Sequence, residues 1–367
     1  MPGFPGASCT TNERSRLGVW FFRAESAPIM KVYEIQKYGD LNGLKIVDRP
    51  SPELADREVM VRIKAASLNY RDLIVLRGEY DRNPVPDRVP LSDGAGEVMA
   101  VGAGVDRFKV GDKVAGCFFQ GWLTGRFTPR MHQTSLGGPI DGVLAEQVKF
   151  HEEGLVHLPR DYSFIEGATL PCAAVTAWQA LIVRGGLVPG ESVLLLGTGG
   201  VSIFSLQIAK ATGAKVIITS SSDAKLERAR SLGADLTINY KTTPDWGKAA
   251  ATLGGEDGVD HVVEVGGAGT FLESVRACRP GGKIGLIGIL SGRETETQIF
   301  SIVAKGATVN GIYVGSREMF EGLNRALETS KFHPVIDRIF PFEAAQEAYR
   351  YLASGSHFGK IVIRVGE

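Results

Sequence analysis

Gly197, Thr198, Gly199 and Gly200 follow a short apolar run, Ser192 to Leu196, and lead into Val201 and Ser202 at the start of a helical pattern. Glycines in such a turn let the backbone approach a pyrophosphate, whose charge rests against the N-terminus of the next helix. The run itself reads as a parallel strand buried on both faces, because such strands are continuously apolar rather than alternating. Gly197 and Gly199 fill the first two positions of a dinucleotide-binding turn, while the third holds Ser202. A second group that can handle phosphate, Ser220-Ser221-Ser222 with Lys225, lies about 20 residues further on. A carboxylate there would accept from a ribose 2′-hydroxyl; hydroxyls instead tolerate a 2′-phosphate, which Lys225 can neutralise. Asp223 lies past the strand and reads as a helix N-cap. The cofactor expected is NADP(H).

These groups need elements to hold them. Val201, Phe204, Ile208 and Ala211 make one helical stripe, and Gly213 stops it. Residues 215–219 read as the next strand and 224–232 as the next helix, ended by Gly233. Further strands are expected at 236–239, 259–265, 283–288 and 307–312, with helices around 271–277 and 319–329. Alternation over that length specifies an α/β fold with a doubly wound parallel sheet of about six strands. From Lys31 to about Phe150 the chain reads differently, as short strands broken by Gly, Pro and Asp turns. A helix at 343–352 and a strand at 358–364 close the sequence, and that strand is expected to return to the first, β-rich region. The layout is a discontinuous domain, 30–158 plus 330–367, around an inserted nucleotide-binding domain at 159–329, with the active site in the cleft between them.

The 367 residues fit two cores at roughly 100–200 residues each. Lys plus Arg and Asp plus Glu are equal at 41 each, so no basic field points to nucleic acid or a membrane surface. No apolar run approaches the ~18 residues of a membrane-spanning helix. The four cysteines, Cys9, Cys117, Cys172 and Cys278, are far apart and form no CxxC pair, which argues against a disulfide framework and a structural zinc site. The default compartment is cytoplasmic. Residues 1–29 fit neither domain, and read as an extension ahead of Met30; Glu13 and Glu25 count against a mitochondrial transit segment.

Several motifs together carry a family resemblance over residues 30–367. They are Asn69-Tyr70-Arg71-Asp72, Ser92-Asp93-Gly94-Ala95-Gly96-Glu97-Val98, Phe108-Lys109-Val110-Gly111-Asp112-Lys113-Val114, Ala168-Thr169-Leu170-Pro171-Cys172, Thr176-Ala177-Trp178, the glycine turn, and Gly359-Lys360-Ile361-Val362. The chain resembles the medium-chain dehydrogenase/reductase superfamily, in its zinc-independent, quinone oxidoreductase-like branch. The resemblance implies a Rossmann sheet inserted into a GroES-like catalytic domain, and a homodimer formed near residues 302–314. It also implies that Thr176 contacts the nicotinamide, that Tyr240 flanks the adenosine, and that Gly266, Ile289 and Leu290 line the cofactor pocket.

Zinc-using relatives hold catalytic metal with Cys, His and Cys, where this sequence has Asn69, Ser92 and Cys172; Asp93 stands where the family has a glutamate behind the metal. One thiolate with an amide and a hydroxyl is no stable soft-ligand site, so no metal is expected. Cys172 is then a small apolar residue of the cleft, or an oxidisable thiol beside the nicotinamide. Without a Lewis acid, donors must stabilise the oxyanion. The resemblance places Tyr70 and Tyr80 against the nicotinamide, and Asn69 is a further donor; Asp72 is expected to orient the loop by accepting backbone N–H bonds. Phe118, Phe119 and Trp122 form either an aromatic lid over the substrate or the packed core of that lobe. The expected reaction is NADPH-dependent reduction of an activated C=C bond in a small hydrophobic, carbonyl-containing substrate. Zinc-free carbonyl reduction or alcohol oxidation is the alternative, and cofactor binding without catalysis the third.

Overall fold

The computed structural model describes residues 28–292 and 299–366. The expected extension at 1–29 therefore lies almost wholly outside the described residues; Ile29 already belongs to a strand. That strand, β1 (Ile29–Ile35), forms an antiparallel hairpin with β2 (Leu44–Pro50). A larger antiparallel sheet follows from β3 (Glu58–Leu68), β4 (Asp93–Val101), β5 (Lys113–Gly116), β6 (Gln147–His151) and β7 (Leu155–His157). Between β3 and β4 runs helix α1 (Tyr70–Leu76).

Parallel strands β8 (Ser192–Leu196), β9 (Lys215–Ser220), β10 (Leu236–Asn239), β11 (Val259–Glu264), β12 (Cys278–Leu286) and β13 (Thr308–Gly311) make the second sheet, in the order β10-β9-β8-β11-β12-β13. Strand order reverses between β8 and β11, and ligands bind at such a switch point outside the carboxyl ends. Val193 and Leu195 of β8 enter one core, Leu194 and Leu196 another on the opposite face, which accounts for the unbroken apolar run. Helices α2 (Gly200–Thr212), α3 (Asp223–Ser231), α4 (Trp246–Gly254), α5 (Phe271–Ala277), α6 (Ile299–Lys305) and α7 (Arg317–Ser330) accompany the strands. Helix α4 was not among the expected helices, although Trp246, Ala249, Ala250 and Leu253 make an apolar stripe that packs into the core. Strand β12 starts at Cys278, five residues before the expected 283, because it continues directly from α5 through Pro280-Gly281-Gly282.

After β14 (Ile336–Pro341) and α8 (Ala345–Ala353), strand β15 (Lys360–Arg364) pairs antiparallel with β3, Ile361 opposite Leu68. The last strand thus returns to the first sheet, as its pattern suggested. The fold is α/β: a Rossmann sheet set into a β-rich, GroES-like unit. One apolar core crosses between the two sheets, from Ala65 and Ala95 through Leu170–Leu181 to Val193 and Ile218.

Candidate active site

The glycine turn is built locally. Gly197 holds φ +70°, a left-handed conformation that glycine adopts without strain. A Cβ added at Gly197 or Gly199 would meet nothing within 4 Å, so the turn faces open space in front of α2. That cradle fits a pyrophosphate at a helix N-terminus. Ser202 explains its own departure from glycine: it is 1% exposed, and its hydroxyl donates to Leu196 O at 2.6 Å, tying α2 to the end of β8. Gly359 N donates to Thr198 O at 2.9 Å, so the turn is pinned to the root of β15.

At the end of β9, Ser220 is buried and Ser222 caps α3, its hydroxyl accepting from Lys225 N at 3.4 Å. The cap is thus Ser222 and not Asp223. Asp223 is the first helical residue, and its carboxylate accepts from Asn239 Nδ2 at 2.7 Å. Tyr240 is 42% exposed, with its backbone N–H on Ser220 O at 3.1 Å. Lys225 Nζ donates to Gly355 O at 2.7 Å, and burial lowers its pKa. Beside it His357 has an unpartnered, buried Nδ1, and burial, with Lys225 and Lys360 nearby, pushes its pKa down to about 4. The imidazole is therefore neutral near pH 7.

Carboxyl ends of the next strands meet on the same side. Ser291 N donates to Gly266 O at 2.7 Å, which draws the Ile289–Leu290 segment onto the β11 turn; Ile289 and Leu290 are 37% and 50% exposed. Glu264, fully buried, organises that turn by accepting from Gly266 N, Gly267 N, Thr270 Oγ1 and Ser274 Oγ. Thr176 and Cys172 lie on the helical segment 170–183, where π-turns (Leu170–Ala174 and Gln179–Val183) flank one α-turn (Val175–Trp178). Thr176 is 2% exposed.

A buried polar network occupies the positions where relatives hold metal. Lys360, 3% exposed, donates from Nζ to Leu68 O at 2.7 Å and to Asn69 Oδ1 at 2.6 Å. Ser92 Oγ donates to Asp93 Oδ1 at 2.6 Å, and Cys172 N donates to Asp93 Oδ2 at 3.0 Å. Burial raises the Asp93 pKa, against the pull of Lys360, Ser92 and Asn69. Asp72 accepts from Asn69 N at 2.7 Å, which is the loop-orienting role expected of it. Its pKa is pushed up to about 7 by burial, Arg71 opposing. Burial, with Asp93 nearby, also pushes the Cys172 thiol well up, so it stays protonated.

Beyond this network stands an aromatic cluster around Arg71. The guanidinium carbon lies 4.4 Å from the Tyr80 ring centroid and 4.8 Å from that of Phe118. Nη1 donates to Leu136 O at 2.6 Å; Nε and Nη2 are buried without a hydrogen-bond partner. Tyr80 and Tyr313 share a hydrogen bond at 2.8 Å. Tyr70, at the first turn of α1, is 37% exposed. Phe118, Phe119 and Trp122 are 3%, 1% and 2% exposed, packed into the core that joins the two sheets, with the Phe119 ring 5.0 Å from Tyr313. Of the two arrangements open for these rings, burial matches the packed one.

Sequence reasoning missed Arg71, His132, Tyr313, Lys360 and Glu264 as site residues. Arg71 and Lys360 sat inside quoted motifs, and Tyr313 follows the last parallel strand, where ligands collect. His132 carried no signal.

A family model described as "Alcohol dehydrogenase GroES-like domain" matches residues 55–160, and one described as "Zinc-binding dehydrogenase" matches residues 200–329. A zinc-type alcohol dehydrogenase-like protein of Schizosaccharomyces pombe is 44% identical over 317 residues, 84% of this chain and 91% of that protein. A 2-methylene-furan-3-one reductase of Solanum lycopersicum is 34% identical over 91% of this chain and 79% of its own. The crystal structure of an NAD-dependent alcohol dehydrogenase superposes with a TM-score of 0.84 at 36% identity, covering 92% of this chain and 100% of that one. With these matches and the sheet topology, the chain belongs to the medium-chain dehydrogenase/reductase superfamily, whose members are oxidoreductases that bind nicotinamide cofactors.

Proposed function

We propose that this chain is a metal-free, NADPH-dependent reductase of activated C=C bonds in small hydrophobic enones, enoyl compounds or quinones. One observation carries the reading: Asn69 Oδ1 is taken by the Lys360 ammonium and Ser92 donates to Asp93, which leaves Cys172 as the one soft ligand of the three. Such a donor set does not fit zinc. A reduced nicotinamide supplies the hydride when bound. Tyr80 then serves as hydrogen-bond donor to the substrate oxygen, with the Arg71 cation against its ring favouring the charge that develops. Conjugation spreads that charge in an enone or quinone, so few donors suffice. The tomato relative is named for an exocyclic enone, which supports the same class.

NADPH is favoured by the Ser220–Ser222 run, by Lys225 one turn into α3, and by Asp223 being engaged with Asn239. Reduction of a simple carbonyl is the second reading, supported by the alcohol dehydrogenase names of other relatives. A homodimer is supported by α6, where Ile299, Phe300 and Val303 are 71%, 78% and 66% exposed near the edge strand β13. No helix among the described residues is long and apolar enough to cross a membrane.

Steady-state turnover of enones, quinones, aldehydes and alcohols with each cofactor, plus zinc analysis, tests the reading. Enone or quinone reduction with NADPH is expected, and Lys225→Ala should cut the NADPH preference about tenfold, the worth of one charge-assisted contact. Turnover confined to alcohols and aldehydes rejects C=C reduction. An NADH preference that survives Lys225→Ala rejects the phosphate site, and about one zinc per chain rejects the metal-free site.

A further inference from the structure

We infer that Tyr80, Tyr313 and His132 form a proton relay from solvent to the substrate cleft, gathered around Arg71 from both sheets. The inference rests on the reductase reading and adds the route by which the second hydrogen arrives.

The chain of contacts is continuous. Tyr80 Oη and Tyr313 Oη are 2.8 Å apart, and Tyr313 Oη is 2.9 Å from His132 Nδ1. At the outer end His132 Nε2 lies 3.8 Å from Asp81 Oδ1, and these two side chains are 29% and 23% exposed. Tyr313 is held in place from the side: Phe119 packs edge-on at 5.0 Å and Phe127 at 5.4 Å, and the His132 ring stacks at 6.0 Å. Gly138 is what lets Arg71 and Tyr80 share their space. A Cβ there would lie 2.6 Å from Arg71 Nη2 and 3.0 Å from Tyr80 Cε1.

A hydroxyl both donates and accepts, so a line of two phenols and an imidazole can point either way. With the proton on His132 Nδ1, the line runs from His132 to Tyr313, from Tyr313 to Tyr80, and from Tyr80 outward to the substrate. A bound reduced nicotinamide would supply the hydride, and the new C–H bond at the β-carbon would replace the C=C π bond and leave an enolate. Tyr80 O–H then breaks, and its proton goes to the enolate. Tyr313 reprotonates Tyr80, and His132 gives its Nδ1 proton to Tyr313 as Nε2 takes up one proton from solution, so that the ring stays neutral. The sum is one hydride and one proton added across C=C.

Charges around the line suit this task. Arg71 faces both phenols and favours the transient tyrosinate, with Asp72 behind Arg71 and the Cys172 thiol beside Tyr313. Tyr313 is 38% exposed, but desolvation of its hydroxyl within the cluster and the neighbouring Tyr80 raise its pKa, so it rests protonated. Asp81 faces the imidazole from the solvent side.

The test compares the full-length parent with Tyr80→Phe, Tyr313→Phe and His132→Ala, using NADPH and whichever enone or quinone the parent reduces. Tyr80→Phe should lower kcat by ~10²-fold or more, and Tyr313→Phe and His132→Ala by at least ~10-fold, with KM within about twofold. Combining the last two should cost no more than one alone, because they act in series. Added imidazole should restore kcat in His132→Ala only, and the solvent deuterium isotope effect on kcat should rise in all three. Nitrogen-15 NMR of the cofactor-free protein gives a reading independent of turnover: Tyr80→Phe should move the His132 Nδ1 resonance through Tyr313. The relay is overturned by Tyr313→Phe keeping kcat within twofold with an unchanged isotope effect, or by a His132 resonance indifferent to Tyr80. A parent that reduces no C=C acceptor would instead overturn the reductase reading, an outcome visible before any variant is made.

Discussion

The two ends of the cleft are assembled in opposite ways. At the cofactor end, Gly197, Gly199, Ser202 and Ser220 come from one strand–helix–strand stretch and are built mainly on near neighbours: Ser202 reaches Leu196 six positions back, while Thr198 and Lys225 are tied to the distant Gly359 and Gly355. At the reacting end, the partners in the Tyr80–Tyr313 hydrogen bond are 233 positions apart, and Lys360 reaches Asn69 across 291. Local geometry builds the glycine turn, and long-range packing builds the cluster around Arg71 and Lys360.

If that contrast is right, damage at the long-range end should unsettle the whole molecule, and damage at the turn should stay local. Lys360→Met strips the ammonium from Leu68 O, Asn69 and buried Asp93, and should cost about 3–5 kcal/mol in urea unfolding. Adding Asp93→Asn should recover part of it, because the stranded charge is then gone; no recovery would mean the network is not coupled through Lys360.

A second, smaller effect is read by pH. The Asp72 pKa, pushed up to about 7 when folded, lies above its unfolded value near 4, so the native state holds the extra proton between those pH values. Stability contributed by Asp72 is therefore full below about pH 4 and falls as pH rises towards about 7, by at most ~1.4 kcal/mol per unit. Asp72→Asn keeps an acceptor for Asn69 N and should flatten this decline in chemical unfolding measured at pH 5 and pH 7; an unchanged slope would place the titration elsewhere. Smallest is Ser202→Ala, which loses one buried hydrogen bond to Leu196 O. About 1 kcal/mol is expected, with kcat unchanged within twofold. A large loss of kcat there would erase the distinction between the two ends.

Most of the fold was legible, for a physical reason. A strand buried on both faces must be apolar throughout, as Val193 to Leu196 are, and a helix must stop where Gly213 adopts the left-handed conformation. Errors fell where two signals compete within a residue or two. Both Ser222 and Asp223 are good caps, and the structure separates them: Ser222 Oγ accepts from Lys225 N, while Asp223 meets Asn239. The aromatic segment shows the other limit. Phe118, Phe119 and Trp122 suit a lid and a core equally well by composition, and burial between the sheets is a property of what surrounds them.

Taken alone, the order of residues determined the parallel sheet, its glycine turn, the run of serines at 220–222, and an amide and a hydroxyl at Asn69 and Ser92. Those follow from local backbone geometry and from side-chain chemistry, which no neighbour can change. Only the tertiary structure decided what surrounds those positions. Lys360 arrives on the last strand, which pairs with β3, and Tyr313, just past β13, meets Tyr80 and His132. Side chains hundreds of positions apart carry no periodicity that links them; closing the chain into two packed sheets is what brings them within hydrogen-bond reach.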